Sequence, residues 1–187
     1  IEEFGYPCVL KPVVGSWGRL MAKIDSRSAA EAILEHKATL GHYEHKVFYV
    51  QEFVDKPGRD IRVLATDGDP VAAMVRSSDH WLTNAAKGAE TAAFELDEEA
   101  EELVARASEA VGGGLLGVDL METGVSEARS ASDSGAAEPR GSYTVHEVNH
   151  TVEFKALNEA VGEDVDVPAA VVDWLEAKAD AEVTATA

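Results

Sequence analysis

The feature that most limits the fold of this sequence is the alternation of short β-prone runs with segments of helical periodicity. Runs such as CVLKPVV, VFYVQEFV and LLGVDLM are rich in valine, leucine and aromatic residues and are bounded by turn-forming residues. Residues 26–40, 97–112 and 167–182 instead repeat apolar residues at helical spacing, and each of these segments begins near a helix-starting residue. The sequence therefore predicts a mixed α+β fold.

Size and charge limit the function classes. The chain has 187 residues, of which 45% are hydrophobic, which is enough for one ordinary domain or two small ones that share a cleft. It carries 35 acidic and 16 basic residues, a net charge of -19, which argues against binding to nucleic acid or to an anionic membrane. Such an acidic chain fits a salt-rich cytoplasm. The single cysteine, Cys8, excludes an intrachain disulfide, and no run of about 18 apolar residues predicts a membrane span.

The start of the sequence and the order of its segments predict how the chain is organised. The sequence starts at Ile1, and IEEFGYP has the pattern of a helix end that runs into a strand, without signal-peptide character. We therefore expect the chain to be cut from a longer protein. We expect a small lobe at residues 1–50 and a larger mixed lobe at residues 51–187. The polar stretch at residues 123–141 is predicted to be a surface loop.

The stretch VLKPVVGSWGRL combines a lysine with a glycine loop. Lys11 ends an apolar run, and the loop that follows leads to Arg19. A lysine head that leaves an apolar strand end is costly without an anion, and backbone N–H groups of a glycine loop can approach an anion closely. The pattern is not a Walker A loop, and a tight hairpin with a surface lysine explains this stretch equally well.

Two further stretches carry candidate polar residues. In VQEFVDKPGRDIRV, a strand that ends in Gln51-Glu52-Phe53 could offer edge backbone groups to an adenine ring, and Asp60 and Arg62 share one strand face. A charged outer strand face is the simpler explanation of that stretch alone. Arg76 follows an apolar strand and suits a carboxylate or a phosphate. A non-periodic segment that could form an active-site loop contains Trp81, Thr83 and Asn84.

The GVDLM and HEVNH stretches predict a metal site. Asp119 lies inside an otherwise apolar strand, where a lone carboxylate is costly unless it is paired or bound to a metal. Glu147 and Asn149 are two positions apart on a strand and therefore share a face. Oxygen ligands of these types suit magnesium. His146 and His150 fall on the opposite face, so a histidine-based zinc site is not expected.

Taken in order, these motifs resemble the RimK-like branch of the ATP-grasp ligases. Within that branch the sequence is most similar to enzymes that join glutamate or 2-aminoadipate to an amino-group carrier protein in arginine and lysine biosynthesis. GSWGRL, KPGRDIRV and EVNHTVEFK carry the likeness, which extends from residue 1 to about residue 173. It implies an α+β ATP-grasp fold in which two mixed lobes clasp ATP, with an N-terminal domain absent from this chain.

The resemblance also implies the site residues and the cofactors, ATP and Mg²⁺. The implied nucleotide-binding residues are Lys11, Gly15, Ser16, Trp17, Gly18, Arg19, Leu20, Met21, Gln51, Glu52, Phe53, Asp60, Arg62 and Asn84. The implied amino-acid site comprises Arg76, Ala85, Ala86, Glu153, Phe154, Lys155, Ala156 and Leu157, with catalytic roles for Arg76 and Lys11. The implied magnesium ligands are Asp119, Glu147 and Asn149.

The implied reaction is a carboxylate–amine ligation in the cytoplasm. A carrier carboxylate would attack the γ-phosphate to give an acyl phosphate, and the α-amine of the amino acid would then displace phosphate. The expected partner is a small acidic carrier protein, without nucleic acid or membrane, and a homo-oligomer is among the expectations. The alternatives are a RimK-like protein glutamate ligase and an inactive nucleotide-binding fragment.

Two departures from the family pattern bear on these expectations. The stretch between Asp119 and Glu147 is longer than usual because of the polar loop, which we expect to be harmless. After Lys155, the aminoadipate enzymes have Asn followed by Ser or Thr and the glutamate enzymes have Gly-Phe, whereas this chain has Ala156-Leu157. A bulky apolar residue at the end of the pocket predicts glutamate as the substrate, with 2-aminoadipate as the alternative.

Overall fold

The computed structural model describes residues 1–13, 18–40, 42–85, 88–123 and 142–185, with the backbone alone at residues 44, 45, 182, 183 and 185. The chain forms two compact units, Ile1–Asp55 and Lys56–Ala187. The boundary expected from the sequence, after residue 50, falls inside the last strand of the first unit. The expected polar surface loop at residues 123–141 lies outside the described residues, apart from residue 123.

The first unit is a three-stranded antiparallel sheet with one helix. Strand β1 (Cys8–Pro12) lies between β2 (Ala22–Ile24) and β3 (Phe48–Glu52). Helix α1 (Arg27–Leu40) follows β2, and a 3-10 turn (Tyr43–Lys46) precedes β3. Cys8, Leu10, Ile24 and Ala30 form the buried core on one face of the sheet. Residues 18–20 form a turn shortly before β2.

The second unit is built on a five-stranded antiparallel sheet in the order β6-β5-β4-β7-β8. The strands are β4 (Arg59–Thr66), β5 (Asp69–Ser77), β6 (Glu90–Ala93), β7 (Leu115–Thr123) and β8 (Ser142–Asn149). The helices are α2 (Glu98–Val111), α3 (Lys155–Val161) and α4 (Val167–Ala185). These elements confirm the predicted mixed α+β class, although β6 and α3 were not anticipated. No helix among the described residues is long and apolar enough to cross a membrane.

Strand alternation gives the sheet of the second unit two different faces. On one face, Ile61, Val63 and Val118 are fully buried against α2, which contributes Ala100 and Val104. On the other face, Leu64 and Met74 pack against residues of α3 and α4, namely Leu157, Val161, Val167 and Val171. This second core occupies one end of its face. The strand positions at the other end of the same face carry polar side chains instead.

The β4–β5 turn is tied to the last helix by Asp67. Asp67 Oδ1 accepts a hydrogen bond from the Gly114 N–H at 2.9 Å. Its Oδ2 accepts from Trp174 Nε1 at 2.7 Å and pairs with Lys178 Nζ at 2.8 Å. The hydrogen bonds from Lys178, Trp174 and the Gly114 backbone lower the pKa of Asp67 to about 2. One carboxylate therefore connects the hairpin turn, the start of β7 and α4.

A second carboxylate joins the start of β4 to the end of β7. Glu122 is 1% exposed and receives two hydrogen bonds from the Arg59 guanidinium. Arg59 Nε lies 2.5 Å from Oε2, and Arg59 Nη2 lies 2.9 Å from Oε1. The buried charge is thus compensated by a bidentate pair between neighbouring strands.

Candidate active site

The polar end of the five-stranded sheet brings together residues from four strands. In the strand register, Asp60 on β4 lies opposite Arg76 on β5, and Arg62 on β4 lies opposite Asp119 on β7. Asp119 in turn lies opposite Glu147 on β8. Residues directly opposite one another in an antiparallel sheet project from the same face. The register therefore collects cations and carboxylates of neighbouring strands into one cluster.

Arg76 is the central cation of this cluster. Its Nε donates to Asp60 Oδ1 at 2.6 Å, and its Nη2 donates to Asp119 Oδ1 at 2.9 Å. Burial works against its charge, but the nearby carboxylates of Asp119 and Asp60 outweigh burial and raise the pKa of the guanidinium. Arg76 is therefore a fixed, fully charged group that links two carboxylates.

The Arg62 guanidinium lies against strand β7 at Gly117, a residue without a side chain. Its Nη1 donates to Asp119 Oδ2 at 2.9 Å. A Cβ atom at Gly117 would lie 2.7 Å from Arg62 Cζ and 2.8 Å from Nη2, well inside van der Waals contact. Gly117 is thus required here for the close approach of the guanidinium to the sheet.

The three residues predicted to bind magnesium lie together. Asp119 and Glu147 are register partners on β7 and β8. The Asn149 amide satisfies its neighbours when Nδ2 donates to Glu147 Oε1 at 3.1 Å and Oδ1 accepts from Arg62 Nη1 at 2.9 Å. Two carboxylates and an amide oxygen form the hard donor set that magnesium prefers. Within the described residues, no group of three or more histidine, cysteine, aspartate or glutamate side chains could hold a metal. Both Asp119 oxygens and the Asn149 oxygen accept hydrogen bonds from Arg62 or Arg76 here, and the magnesium site stays a prediction.

Lys56 belongs to the same cluster and was not identified from the sequence. Its ammonium donates to Asp60 Oδ2 at 3.2 Å and to the Thr83 hydroxyl. Burial lowers the pKa of Lys56, while the charge of Asp60 opposes that shift. Lys56 precedes a Pro-Gly turn and so lies outside the strand periodicity that pointed to Asp60 and Arg62. Lys56 is the first residue of the KPGRDIRV motif, but nothing in that motif alone predicted its buried partners.

The first unit carries further residues that the sequence predicts to bind nucleotide. Lys11 lies opposite Tyr49, and Gln51 lies opposite Val9, on the face of the sheet that points away from α1. The Gln51 side-chain oxygen is buried and accepts no hydrogen bond from the described residues. A bound donor, such as the exocyclic amine of adenine, would satisfy it. Of the other predicted nucleotide-binding residues here, Glu52 ends β3, Phe53 contacts the Lys23 ammonium, and Gly18, Arg19, Leu20 and Met21 precede β2.

The remaining residues predicted to bind nucleotide or amino acid lie in different places. Gly15, Ser16, Trp17 and Ala86 lie outside the described residues. Asn84 and Ala85 lie in the segment between β5 and β6, and Glu153 and Lys155 lie at the start of α3, with the Lys155 side chain 88% exposed. Phe154 and Ala156 pack against the second core of the sheet, and Leu157, at 1% exposed, lies inside it. The expectation that the Leu157 side chain lines a substrate pocket is therefore at odds with its position: it faces the sheet.

The fold of the chain is that of an ATP-grasp protein. The ligase PsnB, solved with a phosphomimetic variant of its minimal precursor, Mg and ADP, matches 92% of this chain and 46% of its own chain with a TM-score of 0.61 at 23% identity. A RimK domain ATP-grasp protein from Sphaerobacter thermophilus matches 93% of this chain and 54% of its own, with a TM-score of 0.59 at 24% identity. Both likenesses support the fold.

The family is more specific than the fold. The RimK-like ATP-grasp domain matches residues 1–130, and the chain belongs to this family. It is 37% identical over 155 residues to the alpha-aminoadipate–LysW ligase LysX of Saccharolobus solfataricus, covering 82% of this chain and 51% of that protein. It is 29% identical over 177 residues to the glutamate–LysW ligase ArgX of Sulfurisphaera tokodaii, covering 94% of this chain and 57% of that protein. The chain thus spans about half the length of these relatives.

Proposed function

We propose that this chain is the catalytic ATP-grasp part of an ATP-dependent carboxylate–amine ligase. The acceptor is the C-terminal carboxylate of a small amino-group carrier protein, and the amine is the α-amine of glutamate. The observation that carries the proposal is the cluster of Arg62, Arg76, Asp119, Glu147 and Asn149 on one face of the sheet. Fixed cations beside hard oxygen donors match a reaction in which phosphoryl oxygens gain charge.

The chain's own residues supply binding and charge in two steps. In the first, a carboxylate oxygen of the carrier attacks the γ-phosphorus of ATP, and ADP leaves with the electrons of the broken bond. In the second, the neutral α-amine attacks the acyl carbon, phosphate leaves, and the amine proton passes to solvent. Lys11 holds the phosphate chain, while Arg76 and Arg62 face the oxygen atoms that gain negative charge. Asp119, Glu147 and Asn149 would hold magnesium, which would supply further positive charge at the phosphoryl oxygens.

The amino acid has two candidates. Ala156 offers no hydrogen-bonding side chain, which favours glutamate, because the longer 2-aminoadipate would need a new polar partner for its displaced side-chain carboxylate. The burial of Leu157 removes the argument that this side chain shortens the pocket by direct contact. The similarity to aminoadipate ligases favours 2-aminoadipate as the second candidate. One methylene separates the two, which is worth about 1–3 kcal/mol in an apolar pocket.

The experiment uses the full-length protein with a purified carrier protein, ATP and Mg²⁺. Intact mass spectrometry of the carrier measures ligation, and kcat/KM is compared for glutamate and 2-aminoadipate. Hydroxylamine added without amino acid traps an acyl phosphate as a hydroxamate on the carrier. A preference for 2-aminoadipate of about tenfold, roughly 1.4 kcal/mol, would replace glutamate as the substrate. The absence of both ligation and hydroxamate would reject the ligase proposal.

A variant of Lys11 tests the nucleotide contact separately. Lys11→Ala should weaken ATP binding measured by calorimetry, because a cation at the end of β1 no longer faces the phosphates. Lys37→Ala, which removes a lysine from the last turn of α1, is the matched control and should bind ATP like the wild-type protein. Equal affinities for all three proteins would remove Lys11 from the phosphate site.

A further inference from the structure

A buried lysine lies at the edge of the cluster and has no role in the reaction as described. The side chain of Lys56 is 7% exposed and lies at the start of the second unit, just before β4. Lysine is rarely buried without a partner, because its charge loses hydration. Here the ammonium donates to Asp60 Oδ2 at 3.2 Å and to the Thr83 hydroxyl.

Lys56, Asp60 and Thr83 are hydrogen-bonded to one another, and only one assignment of donors and acceptors satisfies all three bonds. The Thr83 hydroxyl accepts from Lys56 and donates to Asp60 Oδ2, so its single proton is committed. The other carboxylate oxygen, Asp60 Oδ1, accepts from Arg76 Nε at 2.6 Å. Protein groups therefore engage both oxygens of Asp60.

Thr83 is the anchor of the segment that connects β5 to β6. Thr83 is 3% exposed, and it is the only buried residue of residues 78–85, whose other members are half-buried or exposed. The segment has little regular structure and is joined to the start of β4 by the Ser78 N–H bond to the Gly58 carbonyl, at 3.0 Å. Asn84, the residue next to the anchor, is our candidate nucleotide contact.

We propose that Lys56 and Thr83 are positioning residues that act through Asp60. Together they hold residues 78–85 against the start of β4 and thereby place Asn84, while Asp60 fixes the direction of the Arg76 guanidinium. The position of the segment follows from the geometry alone. The effect on ATP binding rests in addition on the proposed ligase function.

The test compares matched variants of the full-length protein by hydrogen–deuterium exchange of residues 78–85. Thr83→Val keeps the shape of the side chain and removes the hydroxyl, and Thr83→Ser keeps the hydroxyl. Lys56→Met removes the ammonium, and Lys178→Met is the control, since it removes a lysine–aspartate pair of the same unit at the surface. We expect exchange in residues 78–85 to rise about tenfold in Lys56→Met and Thr83→Val. We expect wild-type exchange there in Thr83→Ser and Lys178→Met.

Kinetics then separate positioning from general loss of structure. In Thr83→Val the KM for ATP should rise several-fold because Asn84 is no longer held in place, and Thr83→Ser should restore the KM. Wild-type exchange of residues 78–85 in Thr83→Val would overturn the inference, and so would a Thr83→Ser variant as defective as Thr83→Val. If Lys56→Met does not fold, the two Thr83 variants decide the question. If the wild-type protein has no ligase activity but exchange of residues 78–85 still rises in Thr83→Val, the proposed function is rejected and the positioning role stands.

Discussion

Replacing Glu122 with glutamine tests how much the ion pair between the start of β4 and the end of β7 stabilises the fold. The carboxylate is 1% exposed and accepts two hydrogen bonds from Arg59, whose side chain is 36% exposed. In Glu122→Gln, one acceptor oxygen becomes an NH₂ group that faces a guanidinium donor. A hydrogen bond to a charged group contributes about 1.5–3 kcal/mol, and removing one partner of a fully buried pair costs about 3–5 kcal/mol.

The exposure of Arg59 decides which end of this range applies. Its guanidinium can regain water once the pair is broken, so we expect a loss of about 2 kcal/mol in the free energy of unfolding. For a chain of this size, such a loss lowers Tm by about 4–8 °C. Urea denaturation of the protein measures the change in the free energy of unfolding. Glu176→Gln, on the exposed surface of α4, is the control.

The double variant Arg59→Met/Glu122→Met checks the physical reason. If burial of an incompletely paired charge causes the loss, two apolar side chains should recover much of the stability. A Glu122→Gln protein within about 0.5 kcal/mol of the wild type would refute the argument, because surface substitutions have effects of that size.

Further predictions concern the metal, acid stability and salt. Asp119→Ala and Glu147→Ala should abolish magnesium-dependent turnover of the full-length protein and leave its circular dichroism spectrum unchanged; full activity in either variant removes that residue from the metal site. The folded-state pKa of Asp67 is lowered to about 2, so its stabilising effect is present above its unfolded value of about 4 and disappears as the pH falls towards 2. Tm should therefore fall more steeply over that range in the wild type than in Asp67→Asn, and parallel curves would contradict the assignment. Because the net charge is -19, KCl should raise Tm by screening repulsion, and a Tm independent of KCl concentration would exclude that effect.

Much of the cluster followed from local sequence, because strand alternation and the cost of burying charge act on neighbouring residues. The alternation of Asp60 and Arg62 about Ile61 predicted a shared face, and the isolated carboxylate of Asp119 predicted a polar partner. The partner was not predictable. Arg76 and Asp119 are joined only because β4 lies between β5 and β7, and this strand order depends on the packing of the whole sheet.

Two further differences have physical reasons. Lys56 joins the cluster through a Pro-Gly turn, whose path local periodicity does not encode. Leu157 and Val161 are four positions apart, a helical spacing that would have predicted α3 and its buried face. The resemblance of the EVNHTVEFK motif to the family drew attention to ligand contacts instead, and the apolar side chain of Leu157 proved to face the sheet.

The bare backbone at Gly117 has a consequence for how such a site changes over evolution. Any side chain there would push the Arg62 guanidinium outwards by about 1 Å to restore ordinary contact distances. That displacement would move the guanidinium relative to the Asp119 carboxylate that it now contacts at 2.9 Å. A single methyl group beneath this arginine can therefore change the geometry of the cluster while every charged residue in it is retained. The arrangement of these charges thus depends on a residue that contributes no side chain of its own.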